Sequence, residues 1–197
     1  MLENTRFVRQ LATSNGKAPK PFASINLDGA QLGGLNLGCT DERHVGCADF
    51  SKANLHEADL TQTILQGADF RRADLRSATL DKTDFSGANL GNANLGGVAA
   101  TPGPYVRGTS FRGASLKGAT LVEARLPNSD FRNVDFSEAN ADRAVLSWTN
   151  FLDADLSGSS FEHADLRDSQ FAGAAMSGVD LGQPIYEGRT SRALTCT

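Results

Sequence analysis

Two cysteines and a histidine are the residues best suited to chemistry in this chain of 197 residues. Cys39 and Cys47 stand eight positions apart, with His44 between them. Thiols at this spacing can form a disulfide or a redox latch, and two thiolates with an imidazole can hold a metal ion. They can equally stay reduced, as small residues at a corner. The sequence leaves these alternatives open.

The other polar residues do not indicate a catalytic site. His56 and His163 are far from each other in the repeat described below, and neither stands with an aspartate and a nucleophilic Ser or Cys. Aspartates recur at one fixed place, as at Asp59 and Asp74, which is typical of turns and soluble surfaces. No glycine-rich phosphate-binding motif is present. We therefore expect neither enzyme activity nor a cofactor.

A period of five determines where these residues lie. Leu or Phe occupies nearly every fifth position from Phe50 to Leu95 and from Phe111 to Leu181, and the residue two before it is nearly always small. We call the Leu or Phe the centre residue. This period fits neither the 3.6 residues of a helix nor the alternation of a strand. If the centre and the small residue point inward, three of every five side chains face water, and the chain winds into a coil.

The phenylalanines indicate how many repeats close one coil. A ring stacks best on another ring in the next coil. The twenty-residue spacing of Phe111, Phe131 and Phe151, repeated between Phe50 and Phe70, therefore predicts four pentapeptides per coil. The cross-section is then square, with phenylalanine on a first face and mostly leucine on the other three. Coils should stack at about 4.8 Å, the spacing of strands in a sheet.

The first interruption of the repeat contains the cysteines. The thirteen residues from Leu37 to Phe50 equal one pentapeptide step plus eight extra residues, an interpretation that also puts Phe22 on the first face. The extra residues then lie at the corner between the fourth face and the first. Cys39 and Cys47 bracket this insert, so the two thiols should be close together.

The second interruption lies between Leu95 and Phe111. Its sixteen residues equal three steps plus one, with Ala100 and Tyr105 as degenerate centres. In this count the extra residue also falls at the fourth-to-first corner. Two prolines and several glycines make the segment a predicted loop.

The repeat resembles the pentapeptide-repeat family over about residues 20 to 186. Runs that carry the motif A-[D/N]-[L/F]-x-x are Ala58-Asp59-Leu60, Ala73-Asp74-Leu75, Ala88-Asn89-Leu90 and Ala154-Asp155-Leu156. The resemblance implies an all-β fold, a right-handed quadrilateral β-helix, and the count of repeats predicts about eight coils. It also implies a non-enzymatic binding surface.

We predict three segments along the chain. Residues 1–20 form an N-terminal cap with a short helix from Glu3 to Thr13, whose apolar side would cover the first coil. Residues 21–186 form the β-helix, with an insert at 38–47 and an irregular loop at 96–110. Residues 187–197 form a polar C-terminal tail. A monomer or an end-to-end dimer fits this layout.

Trp148 is the residue best suited to contact a protein partner. It occupies an outward position at the predicted fourth-to-first corner, with Val145 before it and Leu152 around the corner. Exposed tryptophan beside aliphatic residues is a common anchor of interfaces. With Tyr105 and Arg107 from the second interruption, these residues form the predicted binding site. Trp148 packed flat against a neighbouring coil is the alternative.

Charge suggests a second function. The net charge is −4, but residues 109 to 181 carry eleven acids against six bases. Some proteins that this chain resembles protect DNA gyrase by presenting an acidic rod shaped like DNA. The alternative to a protein-interaction module or scaffold is therefore a DNA mimic that binds a type II topoisomerase through Asp142, Glu162 and Asp180.

Other partners and compartments are less favoured by the sequence. Direct nucleic-acid binding is not expected, because the basic residues lack interleaved aromatic residues. No apolar stretch approaches the length of a membrane span, and Met1 to Lys20 lacks the apolar run of a signal peptide. We expect a cytoplasmic protein.

Overall fold

The computed structural model describes residues 2–13, 20–39, 46–101 and 108–182. One helix, α1, spans Leu2–Thr13, and two short strands, β1 at Lys20–Pro21 and β2 at Ala48–Asp49, pair in parallel. All other pairing between successive coils in these ranges consists of single parallel β-bridges. No helix within the described ranges is long and apolar enough to cross a membrane.

The bridges define the coil. In the uninterrupted parts they join residues twenty positions apart, as between Asp49 and Asp69 and between Asp130 and Asn150. One coil is therefore four pentapeptides, as the spacing of the phenylalanines predicts. Asn26 pairs with Asn54, 28 positions on, because the cysteine insert adds eight residues to that coil.

Centre residues and small residues fill the interior. The centres of the first face include Phe22, Phe50 and Phe70, which are fully buried and whose rings stack with centroids 5.0 and 4.9 Å apart. Small residues such as Ala58 and Ala73 are buried two positions before their centres. The core is thus a narrow stacked column, and Phe22 confirms the predicted length of the cysteine insert.

Most corners are hydrogen-bonded turns. The carbonyl of a centre accepts a bond from the N–H three residues later, as Phe50 O does from Ala53 N at 2.9 Å. The second residue after the centre has a positive φ, 59° at Lys52, as the third residue of a type II turn requires. The aspartate before the centre accepts the next outward N–H, as Asp155 Oδ1 does from Ser157 N at 3.0 Å. This gives the recurring Asp and Asn residues the turn role that the sequence predicts.

The second interruption is longer than the sequence count predicts. Asp84 pairs with Ser110, so Phe111 lies above Phe85 on the fourth face, with ring centroids 5.3 Å apart, and not on the first face. The interval from Ala100 to Phe111 is one step plus six residues. The prediction of a regular pentapeptide centred on Tyr105 was wrong. In the coil, the residue before a centre donates its N–H to the previous coil, and Pro104, just before Tyr105, has no N–H to donate.

This register moves the predicted features of the second half by one corner. The interruption at 102–107 now lies between the third face and the fourth, whereas the cysteine insert stays between the fourth and the first. The predicted irregular loop at 96–110 is also shorter. Val98 is fully buried, and Ala99 bridges both Thr79 and Arg125 as in a regular coil.

Helix α1 covers the first coil. Val8 is fully buried, and the ring of Phe7 meets that of Phe22 edge-on at a centroid distance of 6.1 Å. Asn4 Nδ2 donates to Asn26 O at 2.9 Å, and Arg9 Nη2 donates to Gln31 O at 2.6 Å.

These side chains provide the hydrogen-bond donors that a preceding coil would provide. Between later coils the donor to an equivalent carbonyl is a backbone N–H, as Leu55 N is to Asp74 O at 2.7 Å. Lys20 has the same role within the first coil, where its Nζ donates to Gly38 O at 3.0 Å. The cap therefore satisfies carbonyls that would otherwise form an open sheet edge.

Candidate functional site

Trp148 lies at the third-to-fourth corner, on the outside of the coil. Its side chain is 62% exposed, so it is not packed flat on a neighbouring coil. Its N–H donates to Arg167 O at 2.9 Å, and Ser147 O accepts from Asn128 N at 3.0 Å. Asn128, Trp148 and Asp168 therefore form one column along the rod. We call the corner that carries this column the third-to-fourth edge.

Trp148 has a backbone conformation that is uncommon for a bulky residue. Its φ is 62°, a conformation that glycine and asparagine adopt far more readily than a bulky residue. Among the described residues with positive φ, Trp148 is the one with a large apolar side chain. The same position has a positive φ at other corners, as at Lys52 and Glu138, so the turn sets this geometry and the side chain tolerates it.

Val145 and Leu152 flank Trp148 on the third-face and fourth-face sides of the edge, respectively. Val145 bridges Arg125 and Asp165 on the third face and is half-buried. Leu152 follows Phe151 at the far end of the fourth face and is also half-buried. The two aliphatic residues thus lie on either side of the column that contains Trp148.

The 102–107 interruption leaves and rejoins the coil at this same edge. Thr101 Oγ1 donates to Asp81 Oδ1 at 3.1 Å before it, and Gly108 N donates to Asn128 O at 3.1 Å after it. The two ends lie two coils before Trp148, about 10 Å along the rod at the spacing of strands. Tyr105 and Arg107, predicted partner-binding residues, lie outside the described residues.

The cysteine insert does not share this edge. The structure joins Cys39 and Cys47 in a disulfide, with Cα atoms 3.9 Å apart, at the fourth-to-first corner. The sequence count put this insert, the second interruption and Trp148 on one edge, which was wrong because the second interruption contains five more residues than counted. His44, a candidate metal ligand, lies outside the described residues. No metal-binding group of three or more His, Cys, Asp or Glu residues occurs in the part of the chain that the structure describes.

Arginines pair with aspartates two positions earlier. Arg76 Nη2 lies 2.6 Å from Asp74 Oδ2, and Arg167 Nη2 lies 2.8 Å from Asp165 Oδ2. Two further pairs, Asp69 with Arg71 and Asp130 with Arg132, have the same geometry. The hydrogen bond from Arg76 lowers the pKa of Asp74, and Arg167 does the same for Asp165. Much of the basic charge on the rod is therefore neutralised locally.

These pairs predict a loss of stability in acid. A carboxyl whose folded pKa is lowered stabilises the fold above its unfolded pKa, and this contribution is lost as the pH falls through the folded value. We expect the melting temperature to fall as the pH drops below about 4. Asp74→Asn, which copies Asn54 and Asn94 of the same ladder, should make this fall shallower while keeping the turn.

Thermal melts of the parent and of Asp74→Asn between neutral and acid pH would measure the effect. Arg76→Gln, which removes the other partner, should also flatten the profile. Three identical profiles would contradict the role given to the ion pair.

The predicted acidic residues lie on a different corner. Glu123, Asp142 and Glu162 lie at the second-to-third corner, and Asp180 lies on the second face. Basic groups interrupt them. Arg143 Nη1 lies 3.6 Å from Glu123 Oε1, and His163 Nε2 lies 3.3 Å from Glu162 Oε1. The corner is mixed in charge and not uniformly acidic.

Comparison with known proteins agrees with this architecture. HetL, a pentapeptide repeat protein involved in heterocyst differentiation regulation from the cyanobacterium Nostoc sp., is 30% identical in sequence. The match covers 85% of this chain and 89% of HetL, with a TM-score of 0.49. A trypsin-treated form of QnrB1, a plasmid-mediated fluoroquinolone resistance protein, is 19% identical over 82% of this chain and 78% of its own, with a TM-score of 0.55.

The family model establishes the relationship more directly. A search of curated proteins gives no match. The model for pentapeptide repeats matches in eight copies, over residues 47–67, 53–92, 109–147 and 144–183. These ranges make up more than half of the chain and contain the turns and the core ladders described above. The chain belongs to the pentapeptide-repeat family, whose fold is a right-handed β-helix.

Proposed function

We propose that this protein is a non-enzymatic interaction module, a rod of about eight coils whose third-to-fourth edge binds a protein partner. The observation that supports this most is Trp148, which is 62% exposed on a rigid corner. Tryptophan is among the residues most often found at the energetic centre of an interface. Val145 and Leu152 would add apolar contacts on either side, and Tyr105 and Arg107 would extend the surface.

Rigidity favours this use of the fold. The corners next to Trp148 are fixed by bonds between coils, such as Asn133 N to Leu152 O at 2.9 Å and Asn128 N to Ser147 O at 3.0 Å. A surface that is already ordered loses little conformational entropy on binding. Seven centres, from Leu32 to Leu166, lie beside this edge. At the spacing of strands the edge is about 29 Å long, enough for an interface of standard size.

DNA mimicry is the second candidate, with a type II topoisomerase as partner. Its support is the acidic distal half and the fold shared with QnrB1. A mimic of duplex DNA needs extended negative charge along the rod. Arg143 interrupts that charge at the corner with most acids. We therefore favour the edge around Trp148.

Partner capture from a lysate of the source organism tests the proposal. We expect Trp148→Ala to lower the capture of a specific partner by about 30-fold or more, the loss typical of an interface hot spot. His163→Ala is the matched control, because His163 is an exposed ring with φ of 58° at the equivalent position of another corner. It should leave capture unchanged, and both variants should melt like the parent.

A charge variant separates the two candidates. Asp142→Asn, Glu162→Gln and Asp180→Asn together should not affect binding at the third-to-fourth edge. If this triple variant loses capture while Trp148→Ala keeps it, the interaction is electrostatic and should weaken steeply with salt. Inhibition of gyrase supercoiling by the parent protein, lost in the triple variant, would then establish mimicry and contradict our proposal.

A further inference from the structure

The corner that contains the disulfide is closed without the help of the sulfur atoms. Ala48 N donates to Leu37 O at 3.2 Å, the same turn bond that closes most ordinary corners, although eight extra residues lie between. Cys39 N donates to Gln66 O at 2.8 Å, and Phe50 N donates to Asp69 O at 2.7 Å. Both ends of the insert are thus held on the next coil by backbone bonds.

The fold therefore brings the two cysteines together by itself. Their Cα atoms are 3.9 Å apart because the turn bond and the coil bonds put them there. Once one of two neighbouring thiols is oxidised, the other attacks it far faster than a free thiol in solution would. The fold already holds the two sulfur atoms together, so no further translational entropy is lost. A bond across only eight positions restricts the unfolded chain less than one across a long loop. Stability is thus a weak reason for this disulfide.

Access and charge also favour reactivity. Cys39 and Cys47 are each half-buried, so neither residue is sealed in the core. Lys20 is buried beside the insert, and its Nζ donates to the carbonyl of Gly38, the residue before Cys39. When Lys20 is protonated its charge favours the thiolate, the nucleophilic form of cysteine, and burial lowers the pKa of Lys20 from its ordinary value.

We propose that Cys39 and Cys47 form a reversible thiol–disulfide site, oxidised by small hydroperoxides and reduced by dithiols, whose redox change leaves the coil intact. This is a site separate from the third-to-fourth edge. Cys39, next to the contact of Lys20, is the attacking thiolate, and Cys47 is the resolving thiol.

The reaction balances in two steps. The Cys39 thiolate attacks the terminal oxygen of the hydroperoxide, the O–O bond breaks, and the products are a sulfenic acid and an alcohol or water that takes up a proton. Cys47 then attacks the sulfenic sulfur, the S–S bond forms, and the hydroxyl leaves as water. The peroxide gains two electrons and the two thiols lose them. In reverse, a dithiol attacks the disulfide, passes through a mixed disulfide and leaves as its own cyclic disulfide.

The 197-residue chain carrying Cys196→Ser, so that only two thiols are counted, tests the site. The protein is reduced, desalted and treated with one equivalent of hydrogen peroxide, and remaining thiols are alkylated under denaturing conditions and counted by mass spectrometry. We expect both thiols to be lost, and both to return on treatment of the native protein with dithiothreitol. Thiols that persist after peroxide, or a disulfide that opens only on unfolding, would overturn the proposal.

Two further measurements separate a reactive pair from a merely structural bond. Hydrogen exchange and circular dichroism should show the coil unchanged between the two redox states. In Cys47→Ser, peroxide should leave a sulfenic acid on Cys39 that dimedone traps, and Lys20→Met should slow that step. Equal labelling rates with and without Lys20, or a coil that loosens on reduction, would contradict the assignment.

Discussion

Ala154→Arg is expected to destabilise the β-helix by at least about 3 kcal/mol, because it buries an unpaired charge and overfills the column. Ala154 is 2% exposed, two positions before the centre Leu156. The equivalent positions in the neighbouring coils hold Val134 and the half-buried Ala174, so the ladder has no room for a guanidinium. For a chain of this length such a loss corresponds to a fall in melting temperature of about 6–12 °C.

Ser157→Arg is the matched control. Ser157 follows Leu156 on the outside of the corner, and its N–H is bonded to Asp155 Oδ1. This position is equivalent to that of Arg76, which pairs with Asp74. The new arginine should pair with Asp155 in the same way and leave the melting temperature nearly unchanged. Equal melting temperatures for the two variants would contradict the inward assignment of Ala154.

Phe131→Ala is expected to cost about 3–5 kcal/mol, the range for removing a buried phenylalanine ring. Phe131 is fully buried, and its ring stacks on those of Phe111 and Phe151 with centroids 4.8 Å away on each side. The substitution leaves a cavity between two rings that the backbone bonds of the coils prevent from moving together. Denaturant unfolding would measure the loss.

Phe131→Leu distinguishes the cavity from a special need for the ring. Leucine already occupies this ladder at Leu37 and Leu65, so the coil accepts it there. We expect a cost of about 1 kcal/mol, as for a substitution that keeps most of the volume. A cost for leucine as large as that for alanine would show that ring stacking, and not filled volume, stabilises the ladder.

The coil could be predicted from the sequence because its signal is repeated many times. Every centre residue adds to the same period, and Phe50 with Phe70 shows the length of the coil directly. The register after the second interruption depended on a single segment. Counting residues across that segment favoured Phe111 on the first face. The decisive signal was Pro104, which has no N–H and cannot make the backbone hydrogen bond to the previous coil that a regular pentapeptide needs. Phe85 pointed the same way, because its ring stacks on that of Phe111 in the next coil.

The candidate site was predictable only in part. The exposure of Trp148 follows from its place in the repeat, whereas its neighbours depended on the misassigned register. The pairing of Asp74 with Arg76 could be predicted from their spacing of two residues, because both side chains lie on the outside of the same turn. The capping donors Asn4 and Arg9 had no comparable signal, because their acceptors are backbone carbonyls of the first coil.

Site-specific photo-crosslinking tests the third-to-fourth edge most directly. A photoreactive phenylalanine analogue would replace Asn128 or Asp168, which lie one coil before and after Trp148 in the same column. Glu123 and Glu138, which have the same positive φ at two other corners, would serve as controls. Our account predicts crosslinks to the captured partner from Asn128 and Asp168 and none from the controls. Crosslinks from Glu123 or Glu138 alone would place the partner on another corner and contradict it.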